Sequence, residues 1–216
     1  PGHRRAGDPL PETVDVLIAG SGPAGLCLAA QLAGVPQIRT LLVEPKLGPM
    51  EKGQADGISV RSMEMFQAFG FAEKVMRESN WINETTFWAT VADAPGSSQG
   101  RSQDDSPPSG GGGGHVPPPG GTLTRVARVQ DVPDGISEMP HVLINQARVH
   151  DMFLDVMRNS PTRLAPDYGL KVIDLAIDPA AADHPVTVTL EHTAPGREGR
   201  IAKVRANYVI GCDGAR

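Results

Sequence analysis

The chain has 216 residues, enough for one large domain or two small ones. Apolar residues make up 39% and aromatics only 4%, so a core must be built mainly from Val, Leu, Ile, Ala and Met. The net charge is −5 with Lys and Arg scattered, which excludes the clustered basic face of a nucleic-acid binder; Cys27 and Cys212 make no disulfide framework and fit a reducing, cytoplasmic setting.

Residues 1–13 read as an N-terminal extension beginning at Pro1 rather than Met, which implies a trimmed or mid-gene start. "VDVLIAG" (Val14–Gly20) is short, β-branched and closed by glycine, the pattern of a buried strand. Pro23 to Leu32 carries Ala, Leu and Cys on every face, as a helix buried on a sheet would, and "RTLLVEP" (Arg39–Pro45) is a second strand, completing a β-α-β unit. The uncharged run Val16–Ile38 follows Arg4-Arg5, but "GSGPAG" interrupts it where a membrane helix must be continuous, so no membrane segment is expected.

Val60, Met63, Phe66 and Phe69 have helical spacing within Ser59–Phe71, and Glu73–Arg77 extends the helical region after a break at Gly70. Two strand signals, Thr85–Val91 and Thr122–Val129, flank a Gly/Pro/Ser-rich stretch at 93–121. Its composition predicts a flexible surface insertion joining the two strands as an overlong hairpin connection. "HVLINQ" (His141–Gln146) reads as a short strand, and Ala147–Asn159 as a strongly amphipathic helix with Val149, Met152, Phe153, Val156 and Met157 on one face. Three strands follow, "LKVIDLAID", "VTVTLEH" and "AKVRANYVIG". The order predicts an α/β fold: a Rossmann-like βαβ unit with an adjoining antiparallel β-meander.

The chemistry starts at Gly20-Ser21-Gly22-Pro23-Ala24-Gly25, a G-x-G-x-x-G sequence. It follows a strand, opens a helix, and leads to a second strand ending in Glu44 about 20 residues on, the full context of a dinucleotide site. Gly20 permits the tight turn, Gly22 lets a pyrophosphate approach the backbone, and Gly25 lets the helix pack closely. The helix start offers free N–H groups and a favourable dipole. Glu44 would accept from the adenosine ribose hydroxyls and disfavour a 2′-phosphate, which excludes NADP at this position. The motif serves NAD and FAD alike. No Cys/His spacing suits a metal and no Ser-His-Asp arrangement is present, so no metal site is expected.

Three further stretches, "GQADGISVRSMEMFQAFGFAEKV", "VLINQARVHDMFLDVM" and "YVIGCDGAR", resemble the flavoprotein aromatic hydroxylases, in particular the branch holding phenol 2-monooxygenase and 3-hydroxybenzoate 4-monooxygenase. The resemblance runs from Val14 to Arg216 apart from the 93–121 insertion. It implies a p-hydroxybenzoate-hydroxylase-like fold in which residues 14–216 are an incomplete FAD-binding domain, the N-terminal portion of a protein truncated just after its Asp-Gly turn. FAD would lie along the βαβ unit with Pro23 and Ala24 at its phosphates, NAD(P)H would be a transient co-substrate, and Asp213 and Gly214 would stand near both. Arg61 would contact the FAD phosphate or ribose, unless it forms a surface ion pair with Glu64. Gln146 would touch the ribityl or phosphate portion, unless it is only a polar helix start. The resemblance further implies O2 and a small phenolic substrate, hydroxylated ortho to its hydroxyl, and a homodimer for the full-length protein.

In that family a carboxylate at the place of Asp56 lies beside the substrate hydroxyl. A phenol has a pKa of about 10 and an aspartic acid about 3.9, so full deprotonation by a free carboxylate is uphill by about 8 kcal/mol. Asp56 therefore needs burial, or takes the proton as oxygen transfer acidifies the ring; without the resemblance it reads as a common Asp-Gly turn residue. His141 corresponds to a pocket histidine of the hydroxybenzoate relatives, where an imidazolium would hold a carboxylate; otherwise it is a satisfied polar residue before a strand. The competing functions are a truncated FAD-binding module without catalysis and an NAD-dependent dehydrogenase. The Asp-Gly turn and the lack of a second catalytic domain disfavour the dehydrogenase.

Overall fold

The computed structural model describes residues 8–91 and 122–214. Residues 1–7 of the expected extension, the insertion expected at 93–121 and the last two residues lie outside them. In chain order the elements are β1 (Thr13–Ala19), α1 (Pro23–Ala33), β2 (Thr40–Glu44), β3 (Gly57–Ile58), α2 (Val60–Ala68), α3 (Ala72–Glu78), β4 (Asn80–Ile82), β5 (Glu84–Val91), β6 (Thr122–Gln130), β7 (His141–Leu143), α4 (Gln146–Arg158), β8 (Asp167–Tyr168), β9 (Leu170–Ile177), β10 (Val186–His192) and β11 (Ile201–Gly211). The break expected at Gly70 is real: Gly70 has φ +80° and ends the α2 turn, a conformation that favours glycine.

Six strands form one sheet in the order β8-β2-β1-β11-β10-β9. β8, β2, β1 and β11 are parallel, whereas β11, β10 and β9 are antiparallel. The expected meander is thus hydrogen-bonded into the parallel sheet rather than laid against it, and β11 is the joint. Residues 201–206 pair with β10, and residues 205–211 pair with β1. Eleven residues at about 3.3 Å each make a strand of about 36 Å, long enough to serve both partners in turn.

The sheet buries different side chains on its two faces, as the period of two requires. Val16, Ile18 and Leu42 pack with Leu26, Ala29, Val149, Met152 and Phe153 of the helices. Leu17, Leu41 and Val43 pack with Leu170, Val188, Leu190 and Val204 of the antiparallel part. Helix α1 is covered by the sheet and by α4, which explains apolar residues all round it. Phe153 meets Phe66, Phe69 and Phe71 edge-on at centroid distances of 5.1–5.7 Å, favourable aromatic geometry that ties α4 to α2 and α3.

β3, β7 and β4 make a separate three-stranded sheet, and β5 pairs with β6 as the hairpin expected from the strand signals at its two ends. β3, β4 and β8 were not anticipated. Runs of two or three residues are too short for alternation to register.

Candidate functional site

The parallel strands β1, β2 and β11 end side by side, and their carboxyl ends carry the glycine turn, Glu44 and the Asp213-Gly214 turn. This is where open α/β sheets hold ligands. Two backbone bonds fix the arrangement: Gly20 N donates to Val43 O at 2.8 Å and Cys212 N donates to Ala19 O at 2.7 Å. Gly20 has φ +106°, and a Cβ there would lie 2.4 Å from Cys212 O and 3.0 Å from Asp213 N. The two expected cofactor turns therefore touch each other. Gly214, with φ +99°, has open space around it.

Gly25 and Gly22 answer to different partners. A Cβ on Gly25 would lie 1.9 Å from Gly20 O, so this glycine is required by the protein's own packing. The contact is with Gly20, the residue that closes the expected strand Val14–Gly20. A Cβ on Gly22 would meet nothing nearer than Cys212 O at 4.0 Å, so the fold leaves that space empty. Gly22 is also the N-cap of α1, and no side chain caps the helix there. Pro23 takes the first helical position, where its missing N–H is no loss, and Ala24 follows it in the first turn. An uncapped helix start facing open space beside a bare backbone suits a pyrophosphate.

Glu44 is only 8% exposed. Its Oε2 accepts from Ser21 N at 2.8 Å and Ser21 Oγ at 3.0 Å, and its Oε1 accepts from Lys46 N at 3.1 Å. A carboxylate has about four acceptor positions. One remains, on Oε1, for the ribose hydroxyl the motif implies. Glu44 thus braces the glycine turn while keeping one acceptor position open to a ligand.

Two residues with no role in the sequence reading adjoin it. His150, on α4, is 2% exposed; its Nδ1 has no hydrogen-bond partner, and burial holds its pKa below the usual imidazole value. Tyr168, paired across β8 with Glu44, has its hydroxyl pushed up to about 12, first by burial and then by the charges of Glu44 and Asp151. The buried polar side chains among the described residues are Ser21, Glu44, His150 and Asp167, and all four belong to the turn or to elements beside it.

Gln146 begins α4, where Asn145 Oδ1 caps the helix by accepting from Ala147 N at 2.8 Å. Gln146 Oε1 accepts from Gln54 N at 2.9 Å, and a Cβ on Gly53 would lie 2.4 Å from Gln146 Cβ. The side chain expected at the cofactor therefore first pins the 53–54 loop, leaving its amide N–H groups for a ligand. Two residues on, Asp56 O accepts from Ile144 N at 2.9 Å, while the Asp56 side chain is exposed rather than buried.

His141 opens β7, and Asp56 directly precedes β3, which pairs with β7. His141 Nε2 would lie 3.4 Å from a Cβ on Gly57, and Nδ1 is 2.7 Å from Asp131 Oδ2. Asp131 escaped the sequence reading: it follows β6, ten residues before His141, with no motif to mark it. Arg61 is exposed on α2 and makes no ion pair among the described residues, and Glu64 is instead engaged by Ser137 Oγ at 2.7 Å. The structure thus joins Gly20–Gly25, Glu44, Asp213 and Gly214 in one cluster. Asp56 lies opposite Ile144, three residues along the chain from His141, and the two side chains share no hydrogen bond or ion pair among the described residues. Gln146 reaches the 53–54 loop, and Arg61 forms no hydrogen bond or ion pair with either group among the described residues. Cys27 and Cys212 are free and half-buried. No group of ligating side chains suits a metal, and no helix is long and apolar enough to cross a membrane, among the described residues.

The open backbone at Gly22, the uncapped helix and the vacant acceptor on Glu44 fit the diphosphate and ribose of FAD. Comparisons with known proteins give the same cofactor. A family model described as an FAD binding domain matches residues 13–216. The chain is 52% identical, over its whole length, to 3-hydroxybenzoate 4-monooxygenase of Comamonas testosteroni, and covers 29% of that protein. It is 27% identical over 94% of its length to the phenol 2-monooxygenase fsqG of Aspergillus fumigatus, and covers 28% of it. The chain therefore spans less than a third of these relatives.

Among solved structures, the p-nitrophenol 4-monooxygenase PnpA of Pseudomonas putida DLL-E4 superposes with a TM-score of 0.68 at 19% identity, over 95% of this chain and 42% of that one. The flavin-dependent monooxygenase PieE, solved with FAD and substrate, gives 0.66 at 24% identity, over 94% of this chain and 31% of that one. Both likenesses concern the fold. With its glycine turn, its acidic second strand and a family match from residue 13 to 216, the chain belongs to the FAD binding domain family typified by these monooxygenases.

Proposed function

We propose that the chain supplies the FAD-binding part of an aromatic-ring monooxygenase that takes electrons from NAD(P)H and one oxygen atom from O2. The proposed substrate is a small phenol or hydroxybenzoate, and the hydroxyl is added ortho to the one already present. The observation that carries this reading is the 52% identity to 3-hydroxybenzoate 4-monooxygenase across the whole chain.

When bound, FAD supplies the redox chemistry. The chain's own residues hold and orient. The α1 start and Gly22 receive the diphosphate, Glu44 Oε1 takes a ribose hydroxyl, and Gln146 and Arg61 reach the middle of the cofactor. Asp213 and Gly214 border the flavin end. Asp56 and His141 face the substrate, with Asp56 beside the reacting hydroxyl. A homodimer is proposed for the full-length protein on the same likeness.

The test is NADH and NADPH oxidation by FAD-loaded protein, with and without 3-hydroxybenzoate or phenol, with the product identified by chromatography. Stimulated oxidation that yields a dihydroxylated product supports the reading, and Asp56→Asn should keep FAD while losing product. FAD binding with no aromatic-stimulated oxidation favours the second reading, an FAD-binding module without catalysis. That reading is suggested by the chain's coverage of only 29% of its relative.

A further inference from the structure

The amino ends of β1 and β2 lie at the opposite end of the sheet from Gly20 and Glu44, and the connection between β9 and β10 folds onto them. His184 stands in that connection. Its backbone N–H donates to Asn207 Oδ1 of β11 at 2.9 Å, which anchors it. It has φ +50°, a conformation uncommon outside glycine, and its side chain is only 11% exposed. The charged groups that face its ring are Asp15 of β1, Arg39 directly before β2 and Asp183 beside it in the chain.

Arg39 Nη2 lies 3.1 Å from His184 Nε2. A guanidinium only donates, so Nε2 accepts, and the ring is neutral with its proton on Nδ1. Nδ1 lies 3.6 Å from Asp183 Oδ1. Asp15 divides its two oxygens. Oδ2 accepts from Arg39 N at 2.7 Å and from Arg39 Nε at 3.3 Å, while Oδ1 accepts from Arg39 Nη2 at 3.2 Å. Oδ1 is also 3.9 Å from His184 Nε2, close enough to become its acceptor after a small turn of the ring.

We propose that Asp15, Arg39 and His184 form a pH-operated latch, in which protonation of His184 transfers Asp15 Oδ1 from Arg39 to the ring and releases Arg39 Nη2. The latch does not depend on the reaction proposed above. With the ring neutral, Nη2 has two acceptors, His184 Nε2 and Asp15 Oδ1. A proton on Nε2 removes the first, because two donors then face each other. It also sets a cationic ring against a guanidinium, and Asp15 Oδ1, close to both, is drawn to the new N–H. Arg39 keeps Oδ2 through Nε and its backbone N–H, so the start of β2 stays on β1 while the guanidinium end swings free. The side-chain bond from Arg39 is the main cause that holds the Asp15 carboxyl below its usual range, so Asp15 stays a carboxylate while the ring titrates.

Nitrogen-15 NMR of the chain labelled at histidine and arginine reads the exchange directly. A free imidazole titrates at about pH 6.5, so spectra from about pH 8 to about pH 5 span the change. At the upper end His184 should carry its proton on Nδ1 with Nε2 bare. Acidification should protonate Nε2, and the Arg39 Nε signal should shift and gain mobility with the same midpoint. His184→Gln, which does not titrate, should abolish the Arg39 response. Asp15→Asn should lower the His184 midpoint by about half a unit, since the acceptor for the new N–H is gone. A proton on Nε2 at the upper end, an Arg39 signal indifferent to the titration of His184, or an unchanged Arg39 response in His184→Gln would each overturn the latch.

Discussion

Gly22 and Gly25 stand three positions apart in one motif, yet the fold leaves open space at the first and requires the second for its own packing. Gly25→Ala would put a methyl group 1.9 Å from the Gly20 carbonyl, forcing the turn away from α1. Overpacking of this kind should destabilise the fold by about 3 kcal/mol, read as a lower midpoint in urea. Gly22→Ala meets nothing within ordinary contact and has φ −66°, so its stability should stay within about 1 kcal/mol of the parent, the difference between glycine and alanine at an N-cap.

His150 makes a separate prediction about pH. Its folded pKa is lowered by burial, so the unfolded chain binds the proton more readily. Its contribution to stability is full above the unfolded value of about 6.5 and is lost as pH falls from there toward the folded value. Thermal melts between about pH 7 and pH 5.5 should show a smaller drop in Tm for His150→Gln than for the parent. Equal drops would remove His150 from the account.

At the scale of elements, the first turn of α4 organises the loop that carries Asp56. Gln146 reaches across to Gln54 N, and Ile144 N ties down Asp56 O. Gln146→Ala should cost about 1 kcal/mol, the net worth of one hydrogen bond, and should speed amide exchange at Gln54 far more than at residues of β1. Unchanged exchange at Gln54 would mean the loop is held by Gly53 packing alone.

The same element shows what the sequence made legible. The 3.6-residue spacing of Val149, Met152, Phe153, Val156 and Met157 places the core face of α4 correctly, because core positions repeat. His150 lies beside that stripe and is buried because α4 meets the glycine turn, a contact between segments 129 residues apart that no local pattern records. Asp131 was hidden for a similar reason: it meets His141 because the residue after β6 is bound to Asn83, between β4 and β5, not through a spacing. The glycine motif and Glu44 were legible because their chemistry is local to one βαβ unit. The double use of Glu44 was not, since it depends on side-chain direction.

For the molecule as a whole, β11 is the structural reason the two cofactor turns meet. Its first half belongs to the meander and its second half runs parallel to β1, ending with Cys212 and Asp213 against Gly20. Residues 208–214, read in sequence as a strand and turn, therefore end against the glycine turn, and the fold class could be anticipated because parallel and antiparallel segments differ in spacing and connection length. The way β11 joins the two in one sheet could not, since an eleven-residue strand gives no sign of where it changes partner.

We expect this chain to hold FAD across the Gly22 opening. Titration of the purified chain with FAD, followed by flavin fluorescence, tests it directly. The account predicts saturable one-to-one binding that weakens by at least about tenfold, or 1.4 kcal/mol, in Gly22→Ala while the melting temperature of the apo chain hardly moves. No binding by the parent chain, or equal binding by a well-folded Gly22→Ala, would contradict it.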